Sequence, residues 1–192
     1  MIEESPRQYK RGFVLSTVIV IEAVLLGVAA IWCLVSNIDL LPMLTNARIE
    51  FFVFGALSGV LLSIVGLVMT KVESFKAFNQ LVYEIMGPLF AHSKIIDIAL
   101  IAAASGFCEE VFYRGVLQTE FGIIIASLIF GLCHFAGMQF YLYVIWAALA
   151  GYLFGLLFEI SHSLWLPITA HAFSNFVSII ILRQKMKSAE NA

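Results

Sequence analysis

Charge is the scarcest commodity in this sequence. Only 12% of its 192 residues are Asp, Glu, Lys or Arg, against about a quarter in an ordinary globular domain. That shortage excludes a disordered polyelectrolyte and a typical cytosolic enzyme. Basic residues are also outnumbered, 11 Lys+Arg to 13 Asp+Glu for a net charge of −2. No basic field exists to attract nucleic acid, and no nucleic-acid partner is expected. Cysteine is nearly absent. Cys33, Cys108 and Cys133 lie inside apolar stretches without a CxxC pair, which excludes a disulfide framework and a thiolate metal site. Internal repeats and low-complexity tracts are lacking too. What fills the chain is hydrocarbon: 61% hydrophobic residues and a mean hydropathy of +0.98. The solvent for most of it is lipid.

Six apolar runs stand out, Phe13–Val35, Phe51–Thr70, Ile95–Leu117, Phe121–Phe135, Phe140–Phe158 and Leu164–Leu182. Crossing the hydrocarbon core takes roughly 20 apolar residues, so five runs are long enough and Phe121–Phe135, at fifteen, is short. The first run is too long for a signal-peptide core and reads as a retained span. The fold expected is all-α, a polytopic integral membrane bundle of about six transmembrane helices plus a surface helix. That surface helix is the amphipathic piece Phe75–Met86, whose Phe75, Phe78, Leu81, Val82 and Ile85 recur at helical spacing. Gly55/Gly59 and Gly151/Gly155 mark close helix packing.

Orientation follows from basic residues in the short connections. Arg7, Lys10 and Arg11, then Lys71, Lys76 and Lys94, then Arg183, Lys185 and Lys187 fall on one side of a six-span chain, whereas the alternate connections carry only Arg48. Both termini are therefore expected in the cytoplasm, with the protein multi-pass in the cell membrane. The chain divides into 1–94, two spans and the amphipathic loop; 95–182, a helix cluster with the polar residues; and 183–192, a basic tail.

Ionisable groups inside a span cost about 2.5–3.5 kcal/mol each on insertion scales. Glu109, Glu110 and Arg114 in the third run, His134 at the end of the fourth, and His171 with Asn175 in the sixth concentrate that cost in one half of the chain. Glu110 and Arg114 are four apart and can pair, while Glu109 lies about 100° around the helix. His171 and Asn175 share a face. At about 1.5 Å per residue, Glu109 lies about 12 Å deep, His171 about 10 Å and His134 about 20 Å, the poorest match. Glu22 stands alone in the first two spans, either facing a cavity or packed as a protonated acid.

Amide hydrolysis wants this set: a base for water, a proton for the leaving nitrogen and donors for the oxyanion. Glu109 can be the base, His134 can orient the same water, Arg114 can hold Glu110, and His171 with Asn175 can donate to the oxyanion. Alternatively Glu109, His134 and His171 form a two-histidine, one-glutamate zinc set with water in the fourth position. Residue types do not choose between zinc and a metal-free water. A proton relay or transporter also uses intramembrane carboxylates and histidines, and a non-catalytic membrane partner is the third reading.

Three motifs add to this. Glu109-Glu110-Val-Phe-Tyr-Arg114-Gly resembles the EExxxR motif of the CPBP family, the CAAX-protease and bacteriocin-processing intramembrane endopeptidases also called Abi. Phe130-Gly-Leu-Cys-His134 resembles its FxxxH motif, and His171-Ala-Phe-Ser-Asn175 its HxxxN/D motif. The segment Ser163-Leu-Trp-Leu-Pro-Ile-Thr-Ala is similar to the family's approach to the last motif. The resemblance covers about residues 95–180. It implies a membrane endopeptidase in which Glu109 and His134 activate water, Glu110 and Arg114 brace the site, and His171 and Asn175 form the oxyanion site. The family is usually described as metalloprotease, with a metal-free account as the alternative. Its substrates are peptides or membrane-associated proteins, prenylated CAAX proteins among them. One departure stands out: very little chain separates Leu117 from Phe121. The remaining polar and aromatic residues receive structural readings. His92 and His162 are loop histidines, Glu120 and Glu159 are solvated span ends, and Trp32, Trp146, Trp165, Tyr141 and Tyr143 form aromatic belts.

Overall fold

The computed structural model describes residues 11–190; Arg7 and Lys10, used above for orientation, lie outside the described residues. The protein is an all-helical, polytopic membrane bundle. Its long helices are α1 (Arg11–Ser36), α3 (Ile49–Met69), α6 (Ile95–Glu110), α7 (Thr119–Cys133), α8 (Tyr141–Ser161) and α9 (Trp165–Glu190). The short ones are α2 (Leu41–Thr45), α4 (Lys76–Gln80) and α5 (Gly87–Phe90). Two wide-turn π segments, Leu81–Met86 and Val111–Gln118, interrupt the ladder. The outward faces of α1 and α3 expose Val20, Val24, Leu34, Phe54, Leu57 and Leu61, as expected where lipid rather than water covers the protein.

The third and fourth runs merge into one helical stretch of 39 residues, Ile95–Cys133. Straight, it would measure about 58 Å, nearly twice the hydrocarbon thickness of about 30 Å. It is not straight. Gly122 has φ 80° and ψ 167°, a conformation that residues with a Cβ avoid. The chain folds back there. The rings of Tyr113 and Phe130, seventeen positions apart, have centroids 4.9 Å apart, where an unbroken helix would separate them by about 25 Å. The short link noted in the sequence is thus a helical hairpin with a single-glycine turn.

Small residues set the crossings. A Cβ on Gly55 would sit 2.8 Å from the Leu166 carbonyl oxygen, and one on Gly59 2.8 Å from the Ser174 nitrogen, so α3 and α9 lie nearly backbone to backbone. Ser63 reinforces the contact by donating to the Ser174 carbonyl at 2.9 Å. At the opposite end, α2 is pinned to the start of α9. Trp165 Nε1 donates to Leu44 O at 2.7 Å and Ser163 Oγ to Asn46 O at 2.6 Å.

Two expectations change. The piece Phe75–Met86 is not one amphipathic helix on the membrane surface. It is a 3₁₀ turn (Glu73–Phe75), α4 and a π segment, and it buries Phe78 and Leu81 to 3% and 2% exposure against the protein. The reason is that the bundle offers an apolar opening that this face fills. The last helix does not stop at Leu182 either. Arg183, Lys185 and Lys187 continue α9 as far as Glu190, since nothing in that stretch breaks a helix.

Candidate active site

Arg114 organises the site. It is fully buried at 0% exposure, as is Glu110. Its Nη1 donates to Glu110 Oε1 at 3.1 Å, and its Nη2 to the Gly151 carbonyl on α8 at 2.6 Å. Its guanidinium carbon lies 4.9 Å from the Phe130 ring centre, 5.6 Å from that of Phe154 and 5.8 Å from that of Tyr113. Three aromatic faces and one carboxylate therefore replace the hydration shell that lipid denies it. Glu110 closes α6, and Arg114 sits in the π segment that follows. Such wide turns are frequent at functional sites.

Glu110 also holds the last motif. His171 Nδ1 lies 2.7 Å from Glu110 Oε1. The imidazole stacks on Phe154, with centroids 4.8 Å apart and planes 13° from parallel, and Phe130 meets it edge-on at 5.8 Å. Paired with a carboxylate, Nδ1 is the protonated nitrogen, and Nε2 projects away from the pair. Among the described residues, one oxygen of Glu110, Oε2, is left buried without a partner, as is Arg114 Nε.

His134 ends α7. Its Nδ1 lies 2.7 Å from the Phe130 carbonyl oxygen. A carbonyl only accepts, so Nδ1 carries the hydrogen and the neutral ring keeps Nε2 bare as an acceptor. The depth mismatch expected for His134 disappears, because the turn at Gly122 brings α7 back beside the π segment. Asn175 donates through Nδ2 to Ser105 Oγ at 2.8 Å.

A cavity of about 360 Å³ joins these residues. His134, His171, Asn175 and Ser105 share its wall, and it extends past Tyr143 and Trp146 to Thr70, Tyr83 and Leu182. Tyr143 and Trp146, expected in an aromatic belt, face this cavity instead. The far end carries the basic connections, Lys71 next to Thr70 and Lys185 bonded to the Tyr83 hydroxyl. Burial works to raise the Tyr83 phenol. Its hydrogen bonds from Lys185 and with Thr70, together with the charges of Lys185 and Lys71, outweigh this and hold it below its ordinary value.

Glu109 is not on the cavity wall. It is half-buried, and no hydrogen bond or ion pair engages it among the described residues. Its charge is nonetheless felt by His171, Arg114 and Tyr143. Glu22 is 6% exposed, with Oε2 unpartnered. It lies within electrostatic range of Glu109 and His171, so it packs beside the site rather than lining the cavity. The zinc set fits poorly: among the described residues, no three His, Cys, Asp or Glu side chains are gathered closely enough to hold a metal ion. The structure adds Ser105, Phe154 and the Gly151 carbonyl, which the motifs did not name. Only Ser105, a polar residue one turn before Glu109 in an apolar run, left a trace in the sequence.

Comparison with known proteins bears out the resemblance. Residues 91–177 match the family model described as Type II CAAX prenyl endopeptidase Rce1-like, and all three motifs lie inside that span. Over 83 residues, 43% of this chain, the sequence is 37% identical to the uncharacterized protein YpbD of Bacillus subtilis (strain 168). That match covers 44% of YpbD, so the chain spans less than half the length of this relative. No solved structure matches.

Proposed function

We propose that this Rce1-like chain is an intramembrane endopeptidase that hydrolyses a peptide bond of a membrane-associated protein or peptide, prenylated CAAX proteins being one such class. The observation that carries the reading is the Glu110–His171 contact at 2.7 Å, on a cavity that His134 and Asn175 also line. It ties two of the three motifs together, and His134 of the third lines the same cavity as His171.

With the Glu109 side chain rotated into the cavity, water held between it and the bare Nε2 of His134 attacks the scissile carbonyl carbon, and its proton passes to one of the two. The carbon–nitrogen bond then breaks as that proton is delivered to the leaving nitrogen. Doubly protonated His171, its Nδ1–H held by Glu110, donates through Nε2–H to the oxyanion between these events, and Asn175, placed by Ser105, donates beside it. Among the described residues Glu109 has no hydrogen-bond partner to give up before it turns to the water. A metal-free course suits the scattered donors. The substrate arrives from the basic end of the cavity, which we assign to the cytoplasm, with the protein in the cell membrane.

The test compares peptide termini in membranes carrying the wild type, Glu109→Gln and His134→Ala, with a purified-protein assay on any peptide so found. Both variants are expected to fold and to lose cleavage by at least about a hundredfold. Full turnover in either overturns the assignment. Extensive chelation should leave the rate unchanged, and a loss restored by zinc would establish the metal version.

A further inference from the structure

The cavity wall carries a proton donor that no motif names. Tyr143 stands in the first turn of α8, and two other rings hold it. The His134 imidazole meets it edge-on, with centroids 6.1 Å apart and planes at 66°. Phe78 packs on it at 5.8 Å. The phenol is thereby kept beside the imidazole whose Nε2 is bare. The charge of Glu109 is also felt at the phenol, so Tyr143 lies near both groups between which the water sits. Tyrosine hydroxyls removed from water usually find a partner. Among the described residues no hydrogen bond engages this one, although Tyr143 lines the cavity. Its neighbour Trp146 is placed differently: the indole packs on α3, where a Cβ on Gly66 would lie 3.9 Å from Nε1. The oxyanion side already has its donors. His171 meets Glu110, Phe154 and Phe130, and among the described residues its ring contacts do not include Tyr143.

We propose that Tyr143 is a further catalytic residue, whose hydroxyl relays the proton from the water-activating pair to the leaving nitrogen. A phenol both donates and accepts, so it passes a proton on without keeping a charge. In the intact amide the nitrogen lone pair is delocalised into the carbonyl and offers no site for that proton. Once water has added, the carbon is tetrahedral and the lone pair is localised and basic. The Tyr143 O–H proton then moves to the nitrogen as the carbon–nitrogen bond breaks. The proton that His134 or Glu109 took from the water moves to the Tyr143 oxygen. The phenol ends as it began, and the amine leaves neutral. The hydroxyl thus acts on the breakdown of the intermediate and not on the bound substrate, which places its effect in kcat rather than KM. This role rests on the peptidase reading.

Tyr143→Phe deletes the hydroxyl and keeps the ring between His134 and Phe78, so the unfolding midpoint in micelles should not move. Two probes are compared in proteoliposomes. One is a farnesylated CAAX peptide with a fluorophore and a quencher on either side of the scissile amide. The other is the same peptide with a thioester in place of that amide, from which a thiolate leaves without needing a proton. On the amide, Tyr143→Phe should lower kcat at least about tenfold with KM little changed. On the thioester its loss should stay under about twofold. Equal losses on the two probes, or amide cleavage undiminished, overturn the relay and leave the peptidase reading standing. If the wild type cleaves neither probe, the pair is rebuilt on a peptide identified by its new terminus in wild-type membranes. The absence of any such peptide removes the peptidase reading and the relay with it.

Discussion

Replacing Arg114 by Met tests the organisation of the site most directly. The change keeps the length of the side chain and its packing against Phe130 and Phe154, but strands the Glu110 carboxylate. That group is wholly buried, and its bond from Arg114 Nη1 at 3.1 Å is lost. Only His171, at 2.7 Å, remains to it. Breaking a buried ion pair from one side costs about 3–5 kcal/mol, or roughly two to nearly four orders of magnitude in the unfolding equilibrium. Glu110→Gln strands Arg114 in the opposite sense, though Gly151 O still accepts from Nη2. The double variant leaves no unpaired charge and so should lose distinctly less than the two single losses combined, with a coupling of about 1–3 kcal/mol. Unfolding of the three single and double variants in mixed micelles, followed by tryptophan fluorescence, measures the cycle. Strict additivity, or a loss under about 1 kcal/mol for Arg114→Met, would refute the claim that this pair holds the site together.

Three further outcomes follow from particular contacts. Gly122→Ala forces a residue with a Cβ into φ 80° and should cost about 1–3 kcal/mol, read as a lower unfolding midpoint in the same assay. Gly59→Leu drives a side chain into the Ala170–Ser174 backbone and should cost at least about 1–3 kcal/mol, whereas Gly27→Leu, open on all sides, should be nearly silent. Ser105→Ala releases the Asn175 amide from its 2.8 Å bond. It should reduce cleavage less than Asn175→Ala does, lowering kcat with KM little changed, and the reverse order would remove Asn175 from the oxyanion site.

The architecture was legible because hydrophobic run length and intramembrane charge are one-dimensional signals. Glu110 and Arg114, four residues apart, had to share a face, and so did His171 and Asn175. What sequence could not supply was where the hairpin turns. Depth counted from the ends of the two runs, Leu117 and Phe121, put His134 too low, because run length does not say that the turning point is Gly122. The pairing of Glu110 with His171 rather than with Arg114 alone depends on how α9 sits against α6, a tertiary fact. The piece Phe75–Met86 misled for a physical reason: an amphipathic face looks the same whether lipid or the protein's own apolar surface covers it. Tyr143 and Trp146 were ambiguous in the same way, since aromatic residues suit an interface and a pocket alike.

The glycine turn also bears on how the protein reaches the membrane. After Gly122, α7 has only eleven residues to Cys133, too few to partition alone into a bilayer about 30 Å thick. It gains a membrane-stable position by lying against the preceding limb, which is tied to it without a loop, and against α8, where Gly131 meets Ala148. Insertion of α7 is thus coupled to its neighbours rather than autonomous. Its docking brings the EExxxR and FxxxH residues into register during biogenesis, before the last helix delivers His171.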